Sequence, residues 1–177
     1  PITIGGANVL QIVTSSSIIT DVGCFEDCDG SITVDVTGGV PSSTGTYSYL
    51  WDDPLNQTTK TAIGLCAGTY TCTVTDMEGC VDVDIFVVTQ PSELIGTITE
   101  QTPIDCYGGN GVLNATAGGT GTNPYSYVWS SGPPNIPTSS NLATGSYSCF
   151  VTDFNGCSDT AHYFLDQPDM LEVPQVN

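Results

Sequence analysis

Six short motifs occur twice in this chain, in the same order, at an offset that stays between 77 and 80 residues. Tyr47-Ser-Tyr-Leu-Trp51 returns as Tyr125-Ser-Tyr-Val-Trp129, and Ala67-Gly-Thr-Tyr-Thr-Cys72 as Thr144-Gly-Ser-Tyr-Ser-Cys149. Val74-Thr-Asp76 returns as Val151-Thr-Asp153, Gly79-Cys80 as Gly156-Cys157, Gln90-Pro91 as Gln167-Pro168, and Gly38-Gly39 as Gly118-Gly119. A chain that repeats itself this way folds as two copies of one unit, each closing its own core. The boundaries read as an extension over 1–9, repeat one over 10–91, repeat two over 92–168 and a second extension over 169–177. Gln167-Pro-Asp-Met-Leu171 looks like the opening of a third copy, as Gln90-Pro-Ser-Glu-Leu94 opens the second. The chain therefore reads as two units of a tandem array, or as a subunit with strand-like tails. The absence of an initiator Met and of a signal peptide suggests a processed chain or an excerpt.

Each copy reads as short strands separated by turns. In copy one the expected strands are Ile12 to Ile19, Ser31 to Thr37, Tyr47 to Trp51, Thr69 to Thr75 and Val81 to Thr89. Alternation puts Ile32, Val34 and Val36 inward, then Tyr47, Tyr49 and Trp51 on one face, then Tyr70, Cys72 and Val74 inward. Asp76-Met-Glu-Gly79 is a hairpin turn in which Gly supplies a positive φ. A Trp on a middle strand, with a Tyr two residues before a Cys on a later one, is the core Trp plus tyrosine-corner pattern of immunoglobulin-like sandwiches. Trp51 and Trp129 should anchor the two cores, and Tyr70 and Tyr147 should each bond a backbone carbonyl through the hydroxyl. The expected fold is all-β: two tandem immunoglobulin-like β-sandwich domains with strand-like terminal extensions.

Charge removes several functions. One Lys or Arg stands against nineteen Asp and Glu, a formal net charge of −18. Such a chain cannot neutralise nucleic-acid phosphates or dock by charge on an anionic membrane. No apolar run is long enough for a membrane-spanning helix.

These motifs resemble the SprB-type repeats of giant surface adhesins from gliding bacteria. That family's pattern is a Cys and a Gly before a strand, a Gly-Gly, Tyr-x-Tyr-x-Trp, Gly-x-Tyr-x-x-x-Val-x-Asp, Gly-Cys and a closing Gln-Pro, and both copies carry nearly all of it. The resemblance implies a secreted, cell-surface, repetitive stalk in adhesion or gliding, with no catalytic residues to transfer. Cys28, Cys66, Cys72 and Cys149 depart from the pattern and suggest heavier cross-linking.

Eight cysteines in a Ser/Thr-rich, Lys-poor chain are disulfide candidates of an oxidising, extracellular compartment. Copy one holds Cys24, Cys28, Cys66, Cys72 and Cys80; copy two holds Cys106, Cys149 and Cys157. Both counts are odd, so either a thiol stays free in each copy or a disulfide leaves it. Strand order favours Cys24–Cys72 and Cys106–Cys149 with Cys28–Cys66 added, leaving Cys80 and Cys157 for a bond between units. The rival set is Cys24–Cys80 and Cys106–Cys157, with Cys72 and Cys149 as buried thiols. Zinc is disfavoured: no CxxC pair occurs, and His162 is the single His.

Asp21, Glu26, Asp27 and Asp29 crowd one loop, and Asp76, Glu78, Asp82 and Asp84 a hairpin. Calcium is the one cofactor such oxygen clusters suggest, yet no Asp-x-Asp-x-Asp-Gly loop is present, and a solvated acidic surface accounts for them. Asn56 and Asn114 sit in Asn-x-Thr sequons, and Thr160 in a short motif resembling an O-glycosylation site. Enzymology is not expected: Asp52 and Asp53 should point apart on a turn, His162 lacks a nucleophile beside it, and Gly118-Gly119 is a turn. The expectation is a structural repeat of an extracellular surface fibre or adhesin stalk, with copies of itself or adjacent repeats as partners and no nucleic acid or membrane insertion. The apolar tails, through Ile2, Ile4, Leu10, Leu171, Val173 and Val176, would pair with a neighbour's open sheet edge by strand addition. The alternative is an adhesin module that binds a glycan or host protein through the loops Pro41 to Thr46 and Thr120 to Pro124. An accessory domain of a secreted hydrolase is a third reading, since sandwiches host many functions.

Overall fold

The structure is a computed structural model and describes residues 9–132 and 134–171. The chain divides into two compact units, Pro1–Pro91 and Ser92–Asn177. Every element among the described residues is a β-strand.

Unit one runs β1 (Gln11–Ile12), β2 (Ile18–Thr20), β3 (Gly30–Thr33), β4 (Val36–Thr37), β5 (Ser48–Trp51), β6 (Thr61–Leu65), β7 (Gly68–Thr75) and β8 (Val81–Val88). Its strands form antiparallel sheets in the orders β2-β3-β6 and β5-β7-β8, plus the pair β1-β4. Unit two runs β9 (Leu94–Thr102), β10 (Gly111–Gly119), β11 (Ser126–Trp129), β12 (Thr138–Leu142), β13 (Gly145–Thr152) and β14 (Ser158–Leu165). Its sheets are β12-β10-β9 and β11-β13-β14. Both units are immunoglobulin-like β-sandwiches.

Alternation builds each core. Ile32 and Val34 point inward from the first sheet of unit one, and Trp51, Tyr70, Cys72, Val74, Phe86 and Val88 from the second. Trp51 is fully buried and its ring packs 5.9 Å from that of Phe86. In unit two Leu113 and Ala115 meet Trp129, Cys149, Val151 and Leu165. Both indole N–H groups are satisfied: Trp51 Nε1 donates to Thr59 O at 2.9 Å and Trp129 Nε1 to Ile136 O at 3.2 Å. The expected inward positions on β3, β5 and β7 are those observed.

Three strand expectations change. Ile12 to Ile19 is not one strand: a turn separates β1 from β2. Ser16 and Ser17 hydroxyls donate to Val13 O, Ser16 Oγ also bonds Asp35 Oδ2 at 2.7 Å, and Asp35 N donates to Ser17 Oγ. Hydroxyls placed this close to the backbone compete with a sheet ladder. Ser31 to Thr37 is likewise split into β3 and β4, whereas β9 and β10 of unit two run unbroken beside each other. β6 and β12 were not expected from the sequence. Each buries only two side chains, Ala62 and Leu65 or Ser139 and Leu142, because Gly64 (φ 68°) and Asn141 (φ 60°) break the alternation at the same point.

Leu10 is 6% exposed and belongs to the core of unit one, so it is not available for strand addition. Leu171 is 93% exposed. Ile2, Ile4, Val173 and Val176 lie outside the described residues.

Candidate functional site

Apart from the core Trp, Cys and Val, the residues that repeat gather at the two ends of each unit, and the ends differ. One is the leading end, where the first strand starts. There Gly38-Gly39 (φ 73° and 63°) turns the chain out of β4, and a Cβ on Gly39 would come within 2.9 Å of Asp76 Oδ2. Asp76 is the knot of this end. Its Oδ1 accepts the N–H groups of Glu78 (3.0 Å) and Cys80 (2.8 Å) inside the β7–β8 hairpin, and its Oδ2 accepts that of Val40 (2.9 Å) in the loop after β4. Asp153 repeats the pattern with Asn155, Cys157 and Thr122. The bond from Val40, with those from Cys80 and Glu78, holds the Asp76 carboxyl below its ordinary pKa, against a smaller effect of burial. Tyr47 Oη donates to Gly38 O at 2.8 Å, and Tyr125 Oη to Gly121 O at 2.6 Å. Cys80 sits in this hairpin as an exposed thiol. The charge of Asp76, then burial and Glu78, raise its pKa.

At the opposite, trailing end the tyrosine corners form as expected: Tyr70 Oη donates to Cys66 O at 3.0 Å and Tyr147 Oη to Ala143 O at 2.8 Å. The closing Gln-Pro has a function that the sequence did not disclose. Gln90 Oε1 accepts the N–H of Glu26, and Gln167 Oε1 that of Gly108, each at 3.0 Å. The side chain at the exit of each unit thus clamps the loop between β2 and β3 in unit one and between β9 and β10 in unit two. That loop carries Cys24 and Cys28 in unit one and Cys106 in unit two.

Cys28 and Cys66 form a disulfide across the trailing end, as expected. The other favoured pairs do not form. Cys72 and Cys149 are buried free thiols, and Cys80 and Cys106 are exposed free thiols. Cys72 and Cys149 lie directly opposite Trp51 and Trp129 on the neighbouring strands. They point into the core, where the facing sheet offers Ile32, Val34, Leu113 and Ala115 rather than a second sulfur. Burial, with the charge of Asp52, pushes the Cys72 thiol up to about 12, and burial raises that of Cys149. The rival pairs Cys24–Cys80 and Cys106–Cys157 fail too, since Cys80 and Cys106 are free, although the two buried thiols of that set are present. Cys24 and Cys157 are disulfide-bonded.

Several of the acidic candidates serve the backbone. Asp21 Oδ1 accepts Thr89 N at 2.7 Å, Asp29 Oδ1 accepts Gly23 N at 2.9 Å, and Asp82 Oδ2 accepts Ile12 N at 2.7 Å. Among the described residues no three His, Cys, Asp or Glu side chains gather as a metal-sized group, so Asp21, Glu26, Asp27 and Asp29 are not brought together. Asp52 and Asp53 take separate partners. Asp52 Oδ1 accepts Thr71 N, while buried Asp53 accepts Leu55 N, Gln57 N and Gln57 Nε2. Burial opposes ionisation of Asp53, but the bonds from Gln57 and Leu55 outweigh it and lower its pKa. His162 is exposed on β14. Asn56 stands exposed in a turn at φ 48°, whereas Asn114 lies within β10 with its Oδ1 accepting the Thr138 hydroxyl at 3.0 Å. Thr160 is exposed on β14.

The loop 41–46 is tied internally, with Ser42, Thr44 and Thr46 hydroxyls within 2.7 to 3.1 Å of one another. In the loop 120–124, Asn123-Pro124 is cis and Thr120 Oγ1 donates to Ser92 O. Unit one also has an outer face the alternation reading overlooked: Val81, Val83, Ile85 and Val87 of β8 are all at least half exposed, beside the outward threonines of β7.

The disulfide-bridged loop, the double-glycine turn and the Tyr-x-Tyr-x-Trp strand of unit one lie in one stretch of chain. Residues 16–56 match the SprB repeat. The match spans β2 to β5 and includes Cys24, Cys28, Gly38, Gly39, Tyr47, Tyr49 and Trp51. No curated protein matches the chain. Among solved structures, one described as the structural basis for Dscam isoform specificity is 16% identical, with 90% of this chain and 46% of that one covered and a TM-score of 0.35. The ectodomain of mouse nectin-like molecule 4 is 14% identical, with 96% of this chain and 66% of that one covered and a TM-score of 0.35. The chain spans less than half the length of that Dscam chain.

Proposed function

We propose that this chain is a structural repeat segment of a bacterial extracellular surface fibre or adhesin stalk. The observation that carries the reading is the polarity of each unit. The first strand begins beside the hairpin end, with Gln11 opposite Thr37 and Leu94 opposite Gly119, and the last strand ends beside the corner, with Val88 opposite Gly68 and Leu165 opposite Gly145. A chain that enters a unit at one end and leaves at the other can add units in series without limit, the logic of repeat arrays. The SprB repeat match over 16–56 and the twofold internal repeat support this reading, and the Cys28–Cys66 bridge supports an oxidising compartment. The shared chemistry of the ends is hydrogen bonding that stiffens loops, and the acidic surface keeps a stalk soluble. Strand addition by the terminal segments is the assembly mode this reading carries forward, without Leu10.

Immunogold labelling of the cells that make the protein, with antibody raised against this chain, tests the proposal. Label along fibres outside intact cells is expected. Label that appears only after permeabilisation refutes it.

A further inference from the structure

The thiols left free at the surface are not equivalent. Cys80 belongs to a leading-end hairpin and Cys106 to a trailing-end loop. Their repeat counterparts are Cys157 in the hairpin of unit two and Cys24 in the loop of unit one, and both counterparts are disulfide-bonded. Each kind of position therefore takes a disulfide in this fold. What each chain retains is one unused hairpin thiol and one unused loop thiol, of complementary kind.

We propose that Cys80 of one copy forms a disulfide with Cys106 of another, so that copies are stapled leading end to trailing end. The contact is heterologous: two different patches meet, and an unlimited filament follows unless the rotation closes a ring. Neither thiol can be satisfied inside its own core, since both are exposed and the buried sulfurs, Cys72 and Cys149, are enclosed by apolar side chains. The Cys80 backbone is fixed by Asp76, which accepts its N–H at 2.8 Å, and the Cys106 carbonyl accepts Gly109 N at 2.9 Å, so both sulfurs project from ordered loops. Asp76 beside Cys80 disfavours its thiolate, so exchange at this thiol speeds up as pH rises.

The step is thiol–disulfide exchange with a disulfide oxidant, such as oxidised glutathione. The two thiols lose two protons and two electrons, one S–S bond forms between Cys80 and Cys106, and the S–S bond of the oxidant is reduced to two thiols.

This inference rests on the end-to-end reading above, and the cell-labelling experiment tests that reading separately. The test here uses the whole chain, purified without reductant, then treated with oxidised glutathione and separated by non-reducing electrophoresis. A ladder of multimers is expected, with the Cys80–Cys106 linkage recovered by peptide mapping without reduction. C80S and C106S should each stay monomeric alone, and their equimolar mixture should stop at the dimer, because each supplies the thiol the other lacks. Cys80–Cys80 or Cys106–Cys106 linkages, dimers from either single variant, or a chain that stays monomeric with both thiols carrying glutathione would overturn the proposal. Fibres labelled on cells together with monomers here would sink the staple and leave the array reading standing.

Discussion

Removing the Cys28–Cys66 bridge should destabilise unit one and leave unit two untouched. Both cysteines are exposed, so a C28S/C66S chain leaves no cavity, and the carbonyl at position 66 that accepts the Tyr70 hydroxyl is backbone and survives the change. What changes is the freedom of the unfolded chain. The bridged residues are 38 apart in sequence, and closing a loop of that length lowers unfolded-state entropy by an amount worth about 4 kcal/mol at 25 °C. Residual structure in the unfolded chain trims this to about 2–4 kcal/mol. A unit of this size is stable by roughly 5–13 kcal/mol, so the bridge is a substantial share. With a urea slope of about 1 kcal/mol per M, the midpoint should fall by about 2–4 M. Each unit holds one Trp, which makes the assay unit-specific. In a W129F background Trp51 fluorescence follows unit one, and in a W51F background Trp129 follows unit two. A Trp51 midpoint that moves by less than about 0.5 M, or a Trp129 midpoint that moves as much as that of Trp51, would show that the bridge does not act through the unfolded state of unit one.

Further outcomes follow from the ends and the cores. Native alkylation at pH 8 should modify Cys80 and Cys106 but spare Cys72 and Cys149; unfolding without reductant should raise the count to four, and rapid native labelling of Cys72 would contradict its burial. Asp76 has a lowered pKa, so its contribution is present above the ordinary carboxylate range and is lost as pH falls through the lower native value. Below about pH 4 the Trp51 transition should therefore weaken, and D76N should lower stability at pH 7 while flattening this acid dependence. Trp51→Ala should cost about 3–5 kcal/mol and unfold or nearly unfold unit one, read by far-UV circular dichroism because the substitution removes the Trp51 reporter. Under reductant, which removes any cysteine staple, deleting Asp169 to Asn177 should abolish polymers while both units stay folded; reduced polymers that persist would refute strand addition.

The parts of this fold that were legible are those written by period and by bulky side chains. The alternation in β7 and the placing of Trp51, Tyr70 and Tyr147 follow from side-chain direction alone, and the structure matches them. The bridge Cys28–Cys66 was legible because it spans two loops at one end. The other pairs were not, since inward or outward direction decides whether a sulfur meets another, and Cys72 faces the core. β6 and β12 escaped because a left-handed residue in the middle of each erases the two-residue period. The repeated Asp and the closing Gln were visible as letters of a motif, but their use is long-range: Asp76 reaches Val40 and Gln90 reaches Glu26. An acidic run does not disclose which of its carboxylates accept backbone N–H groups, as Asp21 and Asp29 do.

Serial, end-to-end assembly should be visible in negative-stain electron micrographs of native, non-reduced material. Unbranched filaments are expected, with an axial repeat that fits two sandwich units per chain. Separate particles of two units each, at concentrations and redox conditions matching the cell exterior, would contradict serial assembly.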